Sequence, residues 1–253
     1  MTSQYSELTD SQWGTISVFF DMERKRKVSL RAVVNAILYN LRTGCQWRNL
    51  PTYFPKWRAV YYYFDRWNKE GTMDALNLAL NKMDREREQK EPLPSLLCID
   101  SQSVKLAPMI FEHRGTDGNK KVNGRKRQLM VDVEGRIFDV EIHAANLHDG
   151  TEAVSLLPGC VAYNGRLEKI LGDQGYQGEF EKEVTKLGFI FECASKPESS
   201  KGFVPIAKRW VIERTIAWTN FFRRITKDYE HTLRSAKYWL IWGNISIILN
   251  RMI

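Results

Sequence analysis

The 253-residue chain is 43% apolar and 27% charged, the balance of a globular protein with a core of its own, and its formal net charge is +8. Its start, MTSQYSELTD, lacks a positively charged stretch followed by an apolar core, and no apolar run approaches the roughly 18 to 20 residues of a membrane span, so a cytoplasmic protein is expected. The cysteines, Cys45, Cys98, Cys160 and Cys193, are too scattered for a zinc ribbon and read as free thiols of a reducing compartment.

The first 90 residues read as helical. Thr9 or Asp10 caps a helix running to about Phe20. After the charged loop ERKRK, Ser29 caps a second helix, in which Leu30, Val33, Val34, Ile37, Leu38 and Leu41 recur near the 3.6-residue period and which Gly44 ends. Pro55 sits at the first turn of a third helix, KWRAVYYYFDRWNKEG, and a fourth covers 73–90. A tight Gly-containing turn followed by an Arg- and Tyr-rich helix is a helix-turn-helix-like pattern. Arg58, Tyr61, Tyr62 and Arg66 are its candidate DNA contacts, while Val60, Phe64 and Trp67 have the spacing of the buried stripe.

EPLP at 91–94 marks a boundary between a helical segment, 1–90, and a mixed segment, 91–253. LPSLLCID is the first strand, and KRQLMVDV and RIFDVEIH flank Glu134-Gly135 as a hairpin. DGTEAVSLL reads as a helix, LEKILGD as a strand, GEFEKEVTKLG as a helix and FIFECAS as a strand. Two helices, about 205–227 and 232–251, close the chain. The expected architecture is an α/β mixed sheet with helices on its faces.

Charge is unevenly placed. Residues 1–70 carry 11 basic and 6 acidic groups, residues 141–200 carry 5 and 10, and residues 201–253 carry 10 and 3. A basic head and tail suit a polyanionic partner. Lys105, the run Lys120, Lys121, Arg125, Lys126 and Arg127, and the group Arg209, Arg223, Arg224 and Lys227 are the candidate phosphate contacts.

Two apolar strands end on carboxylates, Asp100 and Asp173. Neighbouring anions at a sheet rim repel each other, and a hard divalent cation such as Mg²⁺ relieves that repulsion. In KRWVIERTIAWTNFFRRITKDYE, Val211, Thr215, Trp218, Phe222 and Ile225 form one helical face, and Glu213 lies about 200° from Val211. On its own Glu213 reads as a surface carboxylate paired with Arg209 one turn earlier. Two Asp and one Glu around two metal ions suit phosphodiester chemistry. GDQGYQG is not a nucleotide-binding loop, and its glycines are expected to let backbone, metal or DNA approach Asp173. His148-Asp149 reads as a helix-capping turn near the site.

At these residues the sequence resembles the DDE transposases of bacterial insertion sequences, in the insertion-sequence-five family. LTDSQWGTI, LRAVVNAILYNLRTGCQWRNLP and the Trp/Tyr-rich helix are similar to the family's N-terminal region. CIDSQSVK, GNKKVNGRKRQLMVD, ANLHDG, LGDQGYQG and RWVIERTIAWTNFFRRITKDYE follow its catalytic domain in order. The resemblance implies a ribonuclease H-like core, with Asp100, Asp173 and Glu213 as metal-binding catalytic acids for two Mg²⁺ ions, Mn²⁺ substituting. It implies binding of terminal inverted repeats, DNA cleavage and strand transfer, and a homodimer in the DNA complex. Of the wider group's Y-x2-R-x3-E-x6-K signature, Arg209 and Glu213 match, whereas Ile206 and Asn220 replace the Tyr and Lys. Arg223, Arg224 and Lys227 are the candidates for the missing Lys. A nuclease of the same fold that does not join DNA, or a transposase-derived regulator, are the rival readings.

Overall fold

The computed structural model describes residues 5–163, 165–194 and 210–252. Four helices come first: α1 (Asp10–Ser17), α2 (Leu30–Thr43), α3 (Trp57–Lys69) and α4 (Thr72–Arg87). Local chemistry sets their ends. Thr9 forms a reciprocal capping box with Gln12, and the Ser29 hydroxyl accepts from Ala32 N–H. Gly44 ends α2 at φ 69°. A Cβ there would also lie 3.1 Å from Arg223 Cβ, so this position needs glycine for its conformation and for close approach. Two boundaries differ from expectation. α1 stops at Ser17, and Pro55 precedes α3, which starts at Trp57.

The mixed segment contributes β1 (Leu96–Lys105), β2 (Gly115–Asp117), β3 (Val122–Val131), β4 (Ile137–Ala144), α5 (Asp149–Glu152), α6 (Leu157–Tyr163), β5 (Lys169–Gly172), α7 (Glu179–Lys186) and β6 (Ile190–Cys193). Then come α8 (Trp210–Thr219) and α9 (Leu233–Arg251). β1 is antiparallel to β3 and parallel to β5, which is parallel to β6, while β4 flanks β3 on its other side. β2 pairs antiparallel with the start of β3, so four antiparallel strands, extended by two parallel ones reached through helical crossovers, make a six-stranded sheet, mixed as expected. The hairpin turn closes with Gly135 N–H donating to Asp132 O at 3.0 Å.

Two expectations need correction. β1 does not end at Asp100: it continues to Lys105, because β3 pairs with it throughout, Asp100 opposite Leu129 and Lys105 opposite Gly124. The helix expected over 205–227 ends at Thr219, and residues 205–209 lie outside the described ones. Arg223 N–H and Arg224 N–H donate to Arg42 O and Leu41 O of α2 instead of continuing the helix, at 3.3 and 3.1 Å. Phe222 and Ile225 are still buried, in the turns that follow.

The helices cover both faces. One face carries α5 to α7, packed through Leu156, Cys160, Phe180 and Val184 on Leu97, Ile99 and Ile170. The other carries α1 to α4, α8 and α9, and their apolar side chains form one continuous cluster with Cys98, Val131 and Leu171. The sequence boundary at residues 90 and 91 is thus crossed by a single core. Asn77 and Asn81 of α4 reinforce it, both donating to Ile137 O of β4. Among the described residues no helix is long and apolar enough to cross a membrane.

Candidate functional site

The parallel register Cys98↔Leu171 sets the geometry of the two aspartates. Two residues further along, Asp100 is level with Asp173, just past the end of β5. Strand side chains alternate between faces, so Asp100 shares the face of Cys98 and Asp173 that of Leu171. Both belong to the cluster that also holds Val211 and Ile212 of α8. The sheet therefore sets the two aspartates at level positions on the side covered by α8.

Each aspartate is set by its backbone as well. Asp173 caps the 3₁₀ turn Gln174–Tyr176, its Oδ1 accepting from Gly175 N–H at 2.8 Å. A Cβ at Gly175 would come 3.0 Å from that same oxygen, so glycine here keeps the carboxylate uncovered. Gly172 has a different reason from the one expected: Ile99 and Phe191 side chains, not a ligand, fill its Cβ space at 3.0 Å. Asp100 Oδ1 accepts from Ser101 N–H at 2.7 Å.

A polar network that the sequence did not reveal is built on Ser101, next to Asp100. Ser101 Oγ donates to Asp149 Oδ2 at 3.0 Å, and Lys126 Nζ lies 3.1 Å from Asp149 Oδ1. Gln128 Nε2 donates to Asp149 O at 2.9 Å. The only sequence signal was the HDG turn. His148 does cap α5, Nδ1 accepting from Gly150 N–H at 3.2 Å, and so aims Asp149 at β1. The buried hydroxyl of Tyr176 is pushed well above the usual tyrosine range, first by burial and then by the negative charge of Asp100, Asp149 and Asp173.

Glu213 is exposed on α8, which packs through Val211, Ile212, Thr215 and Thr219. Among the described residues, no three His, Cys, Asp or Glu side chains come together as a metal-holding group. Asp100 and Asp173 do supply hard oxygen donors at level positions of the sheet, which suits a divalent cation, and Glu213 is carried on α8.

The predicted phosphate contacts separate into two groups. Arg125 and Arg127 are buried and engaged within the fold. Arg125 pairs with Asp228 and donates to the carbonyls of Glu230 and Glu112 at 2.8 and 2.7 Å. Arg127 donates to Ile225 O at 2.6 Å, and burial lowers its guanidinium pKa. Neither presents charge to a phosphate, because the segment after α8 covers both. Arg224 is bound to Glu230, Lys126 to Asp149, and Arg66 to Glu70 at 2.8 Å.

Lys105, Lys120, Lys121, Arg58 and Arg223 are exposed, as are Tyr61 and Tyr62. Lys120 Nζ donates to Ser101 O at 3.2 Å, one residue from Asp100. Lys105, Asn220 and Lys227 line one groove of about 510 Å³ beside Gln102 and Ser103. Asn220 stands where the related signature has Lys, so Lys227 shares a wall with the missing side chain. Arg209 and Ile206 lie outside the described residues.

Comparison with known proteins places the chain in a family. Residues 8–77 match the family described as "Putative transposase of IS4/5 family". A Burkholderia cepacia protein, "Putative transposase for insertion sequence element IS402", is 26% identical over 114 residues, which cover 42% of this chain and 54% of that protein. The chain thus spans about half the length of that relative. Among solved structures, the catalytic core domain of BIV integrase is 12% identical with a TM-score of 0.35, covering 58% of this chain and 80% of that one. The catalytic domain of Mos1 mariner transposase is 11% identical with a TM-score of 0.34, covering 71% and 89%. Residues 91–249, more than half of the chain, match the family described as "Transposase DDE domain", and this protein belongs to that family.

Proposed function

We propose that the protein binds the terminal inverted repeats of an insertion sequence and catalyses metal-dependent DNA cleavage and strand transfer. The observation that carries this reading is the level placement of Asp100 and Asp173 on one sheet face, within a chain of the DDE-domain family. Asp100 and Asp173 would hold Mg²⁺ or Mn²⁺, and Glu213 is the third acid, supplied by α8. When bound, the metal activates an oxygen nucleophile and stabilises the leaving oxygen of a phosphodiester.

The chain's own residues supply position and charge. The sheet fixes Asp100 and Asp173 rigidly, and Ser101, Asp149 and Lys126 brace the strand carrying Asp100. Lys105, Lys120 and Lys227 flank the same edge and hold the phosphates of the strand to be cut. Lys227 takes the role of the absent signature Lys. Arg58, Tyr61, Tyr62 and Arg66 of α3 contact the repeat. Two ends must be paired, so the DNA complex is a homodimer, acting on the nucleoid in the cytoplasm.

The test is a labelled duplex with the element's ends, incubated with protein, Mg²⁺ or Mn²⁺ and a target plasmid, beside Asp173→Asn. Joined product from the wild type alone supports the reading. Cutting without joining identifies a nuclease, and undiminished cutting by Asp173→Asn removes the site.

A further inference from the structure

The segment between α8 and α9 separates two cavities. Thr226 and Lys227 face the groove shared with Lys105 and Asn220. On its other side, Arg224 and residues 229–232 close a cavity of about 440 Å³ against Trp47, Trp57 and Tyr61. An adjoining recess of about 380 Å³ shares Trp47, Arg224, Tyr229 and His231.

The walls combine flat rings with cations. The Arg48 guanidinium lies 5.6 Å from the Trp57 ring centroid, and Arg224 lies 5.9 Å from that of Trp47. Lys227 Nζ is 5.8 Å from the Tyr229 ring, so this one cation links the groove beside the acids to the aromatic cavity. The acid in the wall, Glu230, is neutralised by Arg224 and bonded by Ser235. Arg48 is exposed and makes no ion pair among the described residues.

We propose that this cavity takes an unpaired nucleotide of the bound DNA, its base against Trp57 and Tyr61 and its phosphate between Arg48 and Lys227. The volume is that of a small-ligand site. Within a duplex the bases offer only their edges, so rings of this kind find a partner only in a base that has left the stack. Stacking on aromatic faces, with arginine beside them, is how proteins hold unpaired bases whatever their sequence. Gln46, His231 and Thr232 add hydrogen-bonding groups for the base edges. A DNA strand leaving the groove past Lys227 meets this cavity next. The proposal rests on the reading that the protein acts on DNA.

The experiment measures fluorescence anisotropy of a labelled end duplex, and of the same duplex with a three-nucleotide single-stranded extension, for the full chain. Variants are Arg48→Ala, Tyr61→Ala and Tyr53→Ala; Tyr53 is an exposed tyrosine of the same region that lines no part of the cavity. Thermal melts check that each variant folds. Wild type is expected to bind the extended duplex about tenfold tighter, the effect of one stacked base. Arg48→Ala and Tyr61→Ala lose that advantage, and Tyr53→Ala keeps it. Equal binding of both duplexes by the wild type overturns the cavity's role and leaves the proposed function standing. An advantage retained by folded Tyr61→Ala, or lost equally in Tyr53→Ala, also overturns it. Absence of binding to either duplex overturns both readings.

Discussion

Arg125 and Asp228 form an ion pair wholly shut off from solvent, with Nη1 and Oδ2 3.3 Å apart. The pair fastens the segment after α8 onto β3, beneath Lys227 and Tyr229. Removing one partner leaves an uncompensated charge in the interior, so Asp228→Ala is expected to cost about 3 to 5 kcal/mol of stability. Urea unfolding measures this. Arg125→Ala should behave likewise, and at temperatures where it is folded its DNA binding should keep the wild-type salt dependence. A phosphate contact would give the opposite pattern.

Lys105 and Lys227 are expected to behave as true phosphate contacts. Each Lys→Ala change should leave stability within about 0.5 kcal/mol. Each should also lower the slope of log affinity against log salt by about 0.9, the value for one phosphate. Titrations of binding between 50 and 200 mM salt, on the order used for such slopes, decide the matter. Unchanged slopes would move the phosphate path elsewhere.

Replacement of either sheet aspartate, Asp100→Asn or Asp173→Asn, should abolish cleavage while end binding remains close to wild type. Asp149→Asn should be milder. It bonds Ser101, next to Asp100, and partners of metal ligands commonly contribute about 10- to 100-fold. Single-turnover cleavage rates of the three variants, beside their binding curves, test this order of severity. Equal, complete loss in Asp149→Asn would make it a ligand in its own right.

His143 is buried between β3 and the start of α5, and burial holds its pKa below the usual 6.5. Its Nε2 is 2.9 Å from Gln128 Nε2 and its Nδ1 is 3.0 Å from Ala144 O, an arrangement that suits the neutral ring with the proton on Nδ1. The folded state therefore binds this proton less readily than the unfolded chain. The associated stability is fully present above pH about 6.5 and is lost as the pH falls through the folded value. Urea midpoints between pH 7.5 and 5 (on the order of the histidine range) should fall more steeply for the wild type than for His143→Gln. Parallel curves would show that His143 does not govern this window.

How much of this was legible depended on how local the determinant is. Ser29, Gly44 and the Glu134-Gly135 turn act within four residues, and their chemistry announced the helix ends and the hairpin. Asp100 could be singled out, but not the continuation of β1 beyond it, because the partner that extends β1 is β3, some thirty residues away. The spacing of the RKR run could not show that Arg125 and Arg127 are interior. Their acceptors, the carbonyls of Glu230 and Ile225, are about a hundred residues distant. Asp149 looked like a capping residue, and its tie to Ser101 exists only because the sheet folds back on itself. The departure of Asn220 from the family signature was visible at once. The presence of Lys227 in the same groove was not, since it requires the helix to stop at Thr219.

The single core shared by the early helices and the sheet has a consequence for the protein's economy in the cell. Val33 of α2 and Leu76 of α4 are sealed by the same cluster as Val131 and Trp239. A fragment ending near residue 90 leaves that apolar side in water and is expected to be unstable and open to proteolysis. Residues 1–90 are therefore expected to need the sheet in order to persist as a folded unit.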